Sequence, residues 1–235
     1  MSGLAFVRVE RARLETTGAD RVKFLHNFCT ADVRRLTPGQ GAEAFLLNVK
    51  GKILAYALAY VADDKIVLDC AAQRALPLSA HLDRYTLTDD VAVADVSSDW
   101  AQLVLLGQAA EELLTSAIAG EAPRSAHDFR RANLGGATIE LARGSLAGPQ
   151  SWTLWVAADK AQDVAEQLVA LGGRACDAAE LEVARIEAGM PLDGVDVTDD
   201  NLPQEVNRNA QAISFTKGCY LGQEVVARID ALGHV

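Results

Sequence analysis

The residues AEAFLLNVKGKILAYALAYVADDKIVLDC, from 42 to 70, constrain the fold more strongly than any other stretch of the chain. They contain three apolar runs separated by KGK and by ADDK, and these turn residues fall where the loops of a hairpin meander belong. The second run is almost entirely apolar, as expected for a strand with a neighbour on each side. The segment therefore predicts three antiparallel strands, the second of them central.

The rest of the chain alternates between helical and strand patterns, with hairpins predominating. In residues 18–36, apolar side chains from Val22 to Val33 recur on one helical face behind Asp20, a suitable N-cap, and predict a helix. Further predicted strands lie at 90–97, 102–107 and 151–159, a hairpin lies around 132–142, and helices lie at 74–87, 108–120, 160–173 and 177–191. This order predicts an α+β fold with mostly antiparallel sheets rather than a doubly wound parallel sheet.

The polar residues SSDW suggest a boundary between two lobes. We expect a first α+β lobe in residues 1–97, a second in residues 98–180, and a returning helix with a C-terminal signature segment in residues 181–235. One continuous domain with a long loop at this break is the alternative.

Composition limits the class of protein. The 235 residues are 50% hydrophobic, which is enough for one large domain or two small ones with real cores. The net charge of −10 disfavours a broad phosphate-binding surface, so we expect no direct nucleic-acid partner. No apolar run reaches the length of about 18 residues that crosses a bilayer, and the first residues carry no secretory signal. We therefore expect a cytoplasmic protein without a membrane partner.

The four cysteines are scattered along the chain at Cys29, Cys70, Cys176 and Cys219. They form no C-x-x-C pair, and no histidine lies nearby at ligand spacing. This pattern predicts four reduced thiols and no permanent metal site.

One of these thiols, Cys219, lies in the segment FTKGCYLGQEVVARID. Lys217 precedes it, and the residues after it favour a helix with Glu224 in the first turn, so that a cation and a helix N-terminus are both close in sequence. Gly218 and Gly222 permit a tight bend or a close approach of the backbone. Residue types leave two interpretations open, a reactive thiolate and a small buried hydrophobe in a turn.

Arg185 and Glu187, in ARIEAGMP, are candidates for contact with the polar edge of a ligand. A helix-end ion pair is the alternative interpretation of these two residues.

The segment KGCYLGQEVVAR resembles the signature of the YgfZ-type proteins, which are folate-binding relatives of the glycine-cleavage aminomethyltransferase (GcvT). Five other blocks resemble successive blocks of the same family in the correct order: TGADRVKFLHNFCTADVRRLTPG, LLNVKGKILAYALAY, RYTLTDDVAV, RIEAGMPLDGVDV and NLPQE. The resemblance implies two intertwined α+β lobes around a central cavity for tetrahydrofolate, followed by a C-terminal β-barrel domain. The chain stops about where that domain would begin, so we expect the barrel to be missing.

The resemblance also implies site residues. Cys219 is the hallmark of the YgfZ-type branch, and the other residues of the motif are Lys217, Gly218, Tyr220, Gly222, Gln223, Glu224 and Arg228. Arg185 and Glu187 are the expected folate contacts, together with Leu181 and Arg11, which stand near positions where some bacterial members carry tryptophans.

Two departures from the aminomethyltransferases point away from glycine-cleavage chemistry. Those enzymes carry paired acids in one strand, where this chain has Ala55 and Tyr56. Their GYTGEDG turn is replaced by SLAGPQSW, which keeps only Gly148 clearly in place.

We therefore expect a tetrahydrofolate-binding accessory protein for iron–sulfur cluster assembly or repair, which supports enzymes such as those that methylthiolate tRNA and has no catalytic turnover of its own. Cys219 would act as a transient ligand or a redox thiol, and cluster clients or assembly proteins would be its partners. The alternative is an aminomethyltransferase-like one-carbon enzyme in which Asp63, Asp64 or Asp69 replaces the missing acid. A scaffold that has lost both functions is a third possibility.

Overall fold

The computed structural model describes residues 3–233, which divide into two compact units. Residues up to Glu10 and residues 97–191 form the first unit, and residues 11–96 and 192 onward form the second. Each unit is thus built from two separate stretches of chain, as expected for intertwined lobes. The division differs from the predicted ranges because the N-terminal strand pairs within the first unit and because the segment 181–235 is split after Pro191.

Eleven strands and seven α-helices follow one another along the described residues. The strands are β1 (Ala5–Val9), β2 (Arg11–Thr17), β3 (Gln40–Leu47), β4 (Ile53–Val61), β5 (Lys65–Ala71), β6 (Ala92–Asp95), β7 (Trp100–Leu106), β8 (Phe129–Leu134), β9 (Ala137–Ser145), β10 (Gly148–Ala157) and β11 (Arg174–Ala175). The helices are α1 (Arg21–Phe28), α2 (Ala75–Asp83), α3 (Ala110–Ala117), α4 (Ala161–Ala170), α5 (Ala178–Glu187), α6 (Asn209–Ala212) and α7 (Gln223–Leu232). None of these helices is long and apolar enough to cross a membrane.

The first unit contains a six-stranded sheet in the order β11-β1-β7-β10-β9-β8. All neighbours are antiparallel except β1 and β11. Alternate residues of β10, Trp152, Leu154 and Val156, point into a core that they share with Leu114 of α3 and Leu168 of α4. The β8–β9 hairpin and the helices on either side of it lie where the sequence predicts them.

The second unit contains a five-stranded antiparallel sheet in the order β3-β4-β5-β2-β6. The predicted meander is present, with β4 between β3 and β5, and the prediction of an α+β fold with mostly antiparallel sheets is confirmed. One face of this sheet is apolar and packs with α1 and α2; its core includes Leu14, Leu46, Leu68, Leu25 and Leu82.

The opposite face of this sheet carries buried charges. Glu43 lies opposite Leu58, Leu58 opposite Asp69, and Asp69 opposite Arg13, so that all four side chains share one face. Glu43, Asp69 and Arg13 are each at most 2% exposed. Burying a charge is strongly unfavourable unless the charge is paired, so the partners of these side chains show what stabilises this face of the sheet.

The first predicted helix is shorter than expected. It was predicted over residues 18–36, but α1 ends at Phe28, because Cys29 adopts an extended backbone and bridges to Leu46 of β3. Asp20 is at the N-cap position, but its carboxylate accepts the backbone N–H of Asp90 instead of capping the helix. Residues 1–17 gave no strand prediction, although β1 and β2 lie there.

The buried carboxylate of Asp193 accepts a backbone hydrogen bond from β4 at the point where the pairing of β4 with β5 ends. β5 pairs with β4 from Ala57 onward, and the N–H of the preceding Tyr56 donates to Asp193 Oδ2 at 3.2 Å. The other carboxylate oxygen pairs with Arg74, 2.8 Å away. Asp193 thereby connects the returning chain to β4 and to the residues before α2.

Replacing Asp193 by Ala should lower the free energy of unfolding by about 3 kcal/mol, because breaking a buried ion pair leaves the remaining charge poorly compensated. Asp199→Ala is the matched control, since Asp199 also pairs with Arg74 but its side chain is 69% exposed. Its loss should stay below about 1 kcal/mol. Urea denaturation followed by far-ultraviolet circular dichroism measures both, and equal losses would contradict a special role for Asp193.

Candidate functional site

Cys219 lies in an irregular stretch between α6 and α7 in the second unit, and it is exposed. The other three cysteines are also free thiols, but Cys29 and Cys70 are buried and Cys176 is half-buried. Cys219 is therefore not packed as a buried hydrophobe, and it is the most accessible of the four thiols. Among residues 3–233, no group of three or more His, Cys, Asp or Glu side chains is arranged to hold a metal ion.

Lys217 binds the end of α1. Its ammonium group donates to the carbonyl oxygens of His26, Cys29 and Ala31 at 2.6 to 2.7 Å. These three acceptors match the three protons of an ammonium group, and a cation is favoured beside the C-terminal carbonyls of a helix. Burial lowers the pKa of Lys217. All three N–H groups of the ammonium thus have main-chain carbonyls as acceptors. Stabilisation of a Cys219 thiolate by Lys217 stays a prediction.

The residues just after Cys219 also form hydrogen bonds with the rest of the unit. The Leu221 N–H donates to the Asn27 carbonyl at 2.9 Å, and the Tyr220 N–H donates to the Gln223 side chain at 3.0 Å. The Tyr220 ring lies 5.0 Å from the Lys217 ammonium, and burial raises the pKa of its hydroxyl to about 12.

Gly222 precedes α7 with a left-handed backbone, φ +81°. A Cβ atom at this position would lie 2.6 Å from the carbonyl oxygen of Asn48, in the β3–β4 turn. The glycine is therefore required both by its backbone conformation and by the close approach of this turn. The sequence predicted such a role for Gly222 without indicating its partner.

The helix predicted after Cys219 is present as α7. Glu224 is in its first turn, and both Glu224 and Arg228 are exposed. Val226, on the opposite side of the helix, is buried, and its carbonyl accepts the Gln204 side-chain amide at 2.8 Å. Glu224 and Arg228 are therefore available at the surface near the thiol segment.

Ala55 and Tyr56, the positions where the resemblance implies acids in aminomethyltransferases, are both buried. Tyr56 donates its hydroxyl to Glu43 Oε2 at 2.7 Å, and Arg208 holds the same carboxylate with two nitrogens, Nε at 2.8 Å and Nη2 on the other oxygen. Burial and the adjacent Glu43 charge raise the pKa of Tyr56 well above its usual value. The sequence did not lead us to predict a functional or structural role for Glu43 or Arg208. The one available signal was Glu43 itself, a charged residue within the apolar run of β3.

Three of the four predicted folate contacts have partners within the protein. Arg185, in the first unit, binds both carboxylate oxygens of Glu182, with Nε 2.8 Å from Oε2, and donates to the Met190 carbonyl at 2.6 Å. Arg185 therefore forms an ion pair near the helix end, but with Glu182 and not with Glu187, the residue considered in the alternative interpretation. Leu181 packs among apolar residues of the same unit, and Arg11, in the second unit, donates from Nε to Asp69 at 2.6 Å. The folate-binding role of these three residues stays a prediction.

The fourth residue, Glu187, is exposed and lines a cleft of about 550 Å³ within the first unit. Arg143 lies inside this cleft with its guanidinium 4.5 Å from the centre of the Trp152 ring. Its nitrogens donate to Glu111 at 2.9 Å and to Gln150 at 3.1 Å. The cleft thus combines a fixed cation, held beside the buried Trp152 ring, with exposed carboxylates.

Gly148 lies next to Ala147, which lines this cleft, and close to Ala188 on the other side of the lining. It has φ +87°, and an added Cβ would lie 2.6 Å from the Ala188 Cβ, just after α5. The one residue that the SLAGPQSW turn clearly retains is therefore the one that allows the turn to approach the end of α5.

Comparison with known proteins identifies the family. Residues 9–217 match the GCVT N-terminal domain, which is most of the chain. The chain belongs to the GCVT N-terminal domain family. Its predicted place among the aminomethyltransferase-related proteins is therefore confirmed.

Within this family the chain is similar to proteins with two different names. It is 32% identical over 228 residues to a tRNA-modifying protein YgfZ from Yersinia pseudotuberculosis, covering 94% of this chain and 65% of that protein. It is 27% identical over 213 residues to an aminomethyltransferase from Rubrobacter xylanophilus, covering 90% of this chain and 57% of that enzyme.

The fold is also found in a solved structure. The glycine cleavage system aminomethyltransferase T from Bartonella henselae matches 99% of this chain with a TM-score of 0.82 at 20% identity, and 64% of that protein is covered. The predicted GcvT-like fold is therefore confirmed. The chain spans less than two thirds of the length of each of these three proteins.

Replacing Gly222 by Ala should lower the free energy of unfolding by about 2 kcal/mol, because a side chain is strained at positive φ and its methyl group would meet Asn48. Gly218→Ala is the control in the same segment. An added Cβ there meets nothing within 4 Å, so its effect should stay within about 0.5 kcal/mol. Urea denaturation of both variants checks this, and a Gly222→Ala variant as stable as Gly218→Ala would contradict the contact.

Proposed function

We propose that this chain is the tetrahydrofolate-binding part of an accessory protein for iron–sulfur cluster assembly or repair. The observation that carries the proposal is the exposed Cys219 thiol in a segment bound to the protein on both sides, at Lys217 and at Leu221. Similarity to a YgfZ protein named for tRNA modification supports a role in maintaining enzymes that modify tRNA.

A thiol in this arrangement is suited to transient contact. Thiolate is the form that binds metal, and a single accessible thiol offers one ligand, whereas a resident cluster requires several. Because Cys219 is exposed and the described residues offer no clustered ligands, the cluster would be cargo shared with a client or an assembly protein. In this role the Cys219 thiolate is one ligand of the cluster, and Lys217 holds the segment in place.

The cleft at Glu187 is suited to a reduced folate. Its volume of about 550 Å³ lies within the range of about 300–1,000 Å³ that is usual for ligand pockets. The pterin ring of folate carries an amino group and a ring N–H on one edge, and an exposed carboxylate such as Glu187 can accept both hydrogen bonds. We therefore assign Glu187 to recognition of the pterin edge.

The buried carboxylates of the second unit favour binding over one-carbon transfer. A general base must be free to accept a proton. Glu43 is held by Arg208 and by the Tyr56 hydroxyl, and Asp69 is held by Arg11. Asp63 and Asp64 are exposed in the β4–β5 turn. The aminomethyltransferase-like alternative therefore requires one of these turn residues to act as the acid.

Calorimetric titration with tetrahydrofolate tests the ligand. Glu187→Gln should weaken binding by about tenfold or more, because hydrogen bonds to a charged group are worth about 1.5–3 kcal/mol. Glu166→Gln makes the same change at an exposed position of α4 outside the cleft and should leave affinity unchanged. Absence of binding to the unmodified chain would contradict the folate assignment, and equal affinity of the two variants would contradict the role of Glu187.

Cys219→Ser tests the thiol. In cells lacking their own YgfZ-type protein, we expect the unmodified chain and Cys176→Ser to restore cluster-dependent tRNA methylthiolation and Cys219→Ser to fail. Full rescue by Cys219→Ser would contradict the thiol role. Formation of methylenetetrahydrofolate from a donor amine by the purified chain would instead support the one-carbon transfer alternative.

A further inference from the structure

The residues from His26 to Ala31, which we call the platform, receive the segment that carries Cys219. Lys217 donates to three platform carbonyls, and the N–H groups of Ser214 and Leu221 donate to the carbonyls of Thr30 and Asn27 at 2.9 Å each. The segment is therefore bound to the platform both before and after the thiol.

Thr30 contributes the platform's side-chain link to this segment. Its hydroxyl donates to the carbonyl of Ala212 at 2.5 Å and accepts the N–H of Phe45 at 2.9 Å. Its own N–H donates to the Phe45 carbonyl, and its own carbonyl accepts the N–H of Ser214. Thr30 is fully buried. One residue thus ties β3, the end of α1 and the start of the thiol segment together.

We propose that Thr30 is a positioning residue for the Cys219 thiol. Without its hydroxyl, the carbonyl of Ala212 and the N–H of Phe45 lose a partner in a place where water is excluded, and unpaired buried groups are strongly unfavourable. Movement of residues 212–214 away from the platform would let water reach the carbonyl of Ala212 and relieve this cost. Since Lys217 lies three residues after Ser214 in the same segment, the movement loosens the anchor beside Cys219.

This inference rests on the proposed function only in giving the thiol a role; the positioning itself can be measured independently. Cys219 is labelled with a nitroxide in a chain that carries Cys176→Ser, since the remaining thiols, Cys29 and Cys70, are buried. Electron paramagnetic resonance then reports the mobility of the label.

Thr30→Val removes the hydroxyl at nearly constant shape, and Thr30→Ser keeps it. We expect a mobile spectral component in Thr30→Val that is absent from the parent chain and from Thr30→Ser. Amide exchange in residues 212–221 should become faster by roughly tenfold, as the loss of a buried hydrogen bond implies. An unchanged spectrum in a folded Thr30→Val chain would overturn the proposal.

A variant with a destabilised core shows whether lower stability alone makes the label mobile. Leu82→Ala opens a cavity in the same unit without touching the platform hydrogen bonds, so it should lower stability and leave the label spectrum unchanged. If Leu82→Ala produces the same mobile component, the effect of Thr30 is not specific and the proposal fails.

Thr30→Ala is a second variant without the hydroxyl, in case the branched valine prevents folding. If both hydroxyl-free variants unfold while Thr30→Ser folds, the hydroxyl supports the whole unit, and a positioning role is overturned. A mobile label together with full rescue by Cys219→Ser would show that the segment is positioned by Thr30 while the thiol has another role. The two proposals can therefore fail separately.

Discussion

The arrangement around the thiol depends on the binding of one ammonium group to the end of one helix. Lys217 meets the carbonyl oxygens of His26, in the last turn of α1, and of Cys29 and Ala31 just beyond it; the Ala31 carbonyl also accepts the N–H of Val33. Such carbonyls must be satisfied by some donor when they are removed from water. The segment before Cys219 supplies this donor, and the thiol lies two residues beyond the lysine that makes the contact.

This contact gives the spacing of Lys217 and Cys219 a physical explanation different from activation of the thiol. A lysine two residues before a cysteine is readily interpreted as an activator of the thiolate. Here its nitrogen faces the backbone, and the aromatic ring of Tyr220 lies beside it. Gly222 has a comparable role on the other side, since it permits close approach to the β3–β4 turn. The motif fixes a loop as well as carrying the exposed Cys219 thiol.

Local patterns made much of the fold predictable. The meander from β3 to β5, the hairpin of β8 and β9, and helix α7 follow from periodicity and turn residues within short windows. The end of α1 was not predictable in this way, because it is set by pairing between Cys29 and Leu46. β1 and β2 were missed for the same reason, since their partners lie far along the chain. In the candidate site, Cys219 and the glycines could be recognised from sequence, whereas the partners of Arg185 and Glu43 required the folded chain.

The construction of the second unit from two distant stretches has a consequence for synthesis on the ribosome. Glu43 and Arg74 are made early, but their partners Arg208 and Asp193 belong to the last part of the chain. Until that part emerges, Glu43, which is buried in the finished unit, and the half-buried Arg74 lack these partners and have to remain in water. A nascent chain halted before residue 192 would also lack Val197, Ala212, Ile213 and Val226, and would expose the apolar side chains of β3 and β4 that they cover, which is the kind of surface that chaperones bind.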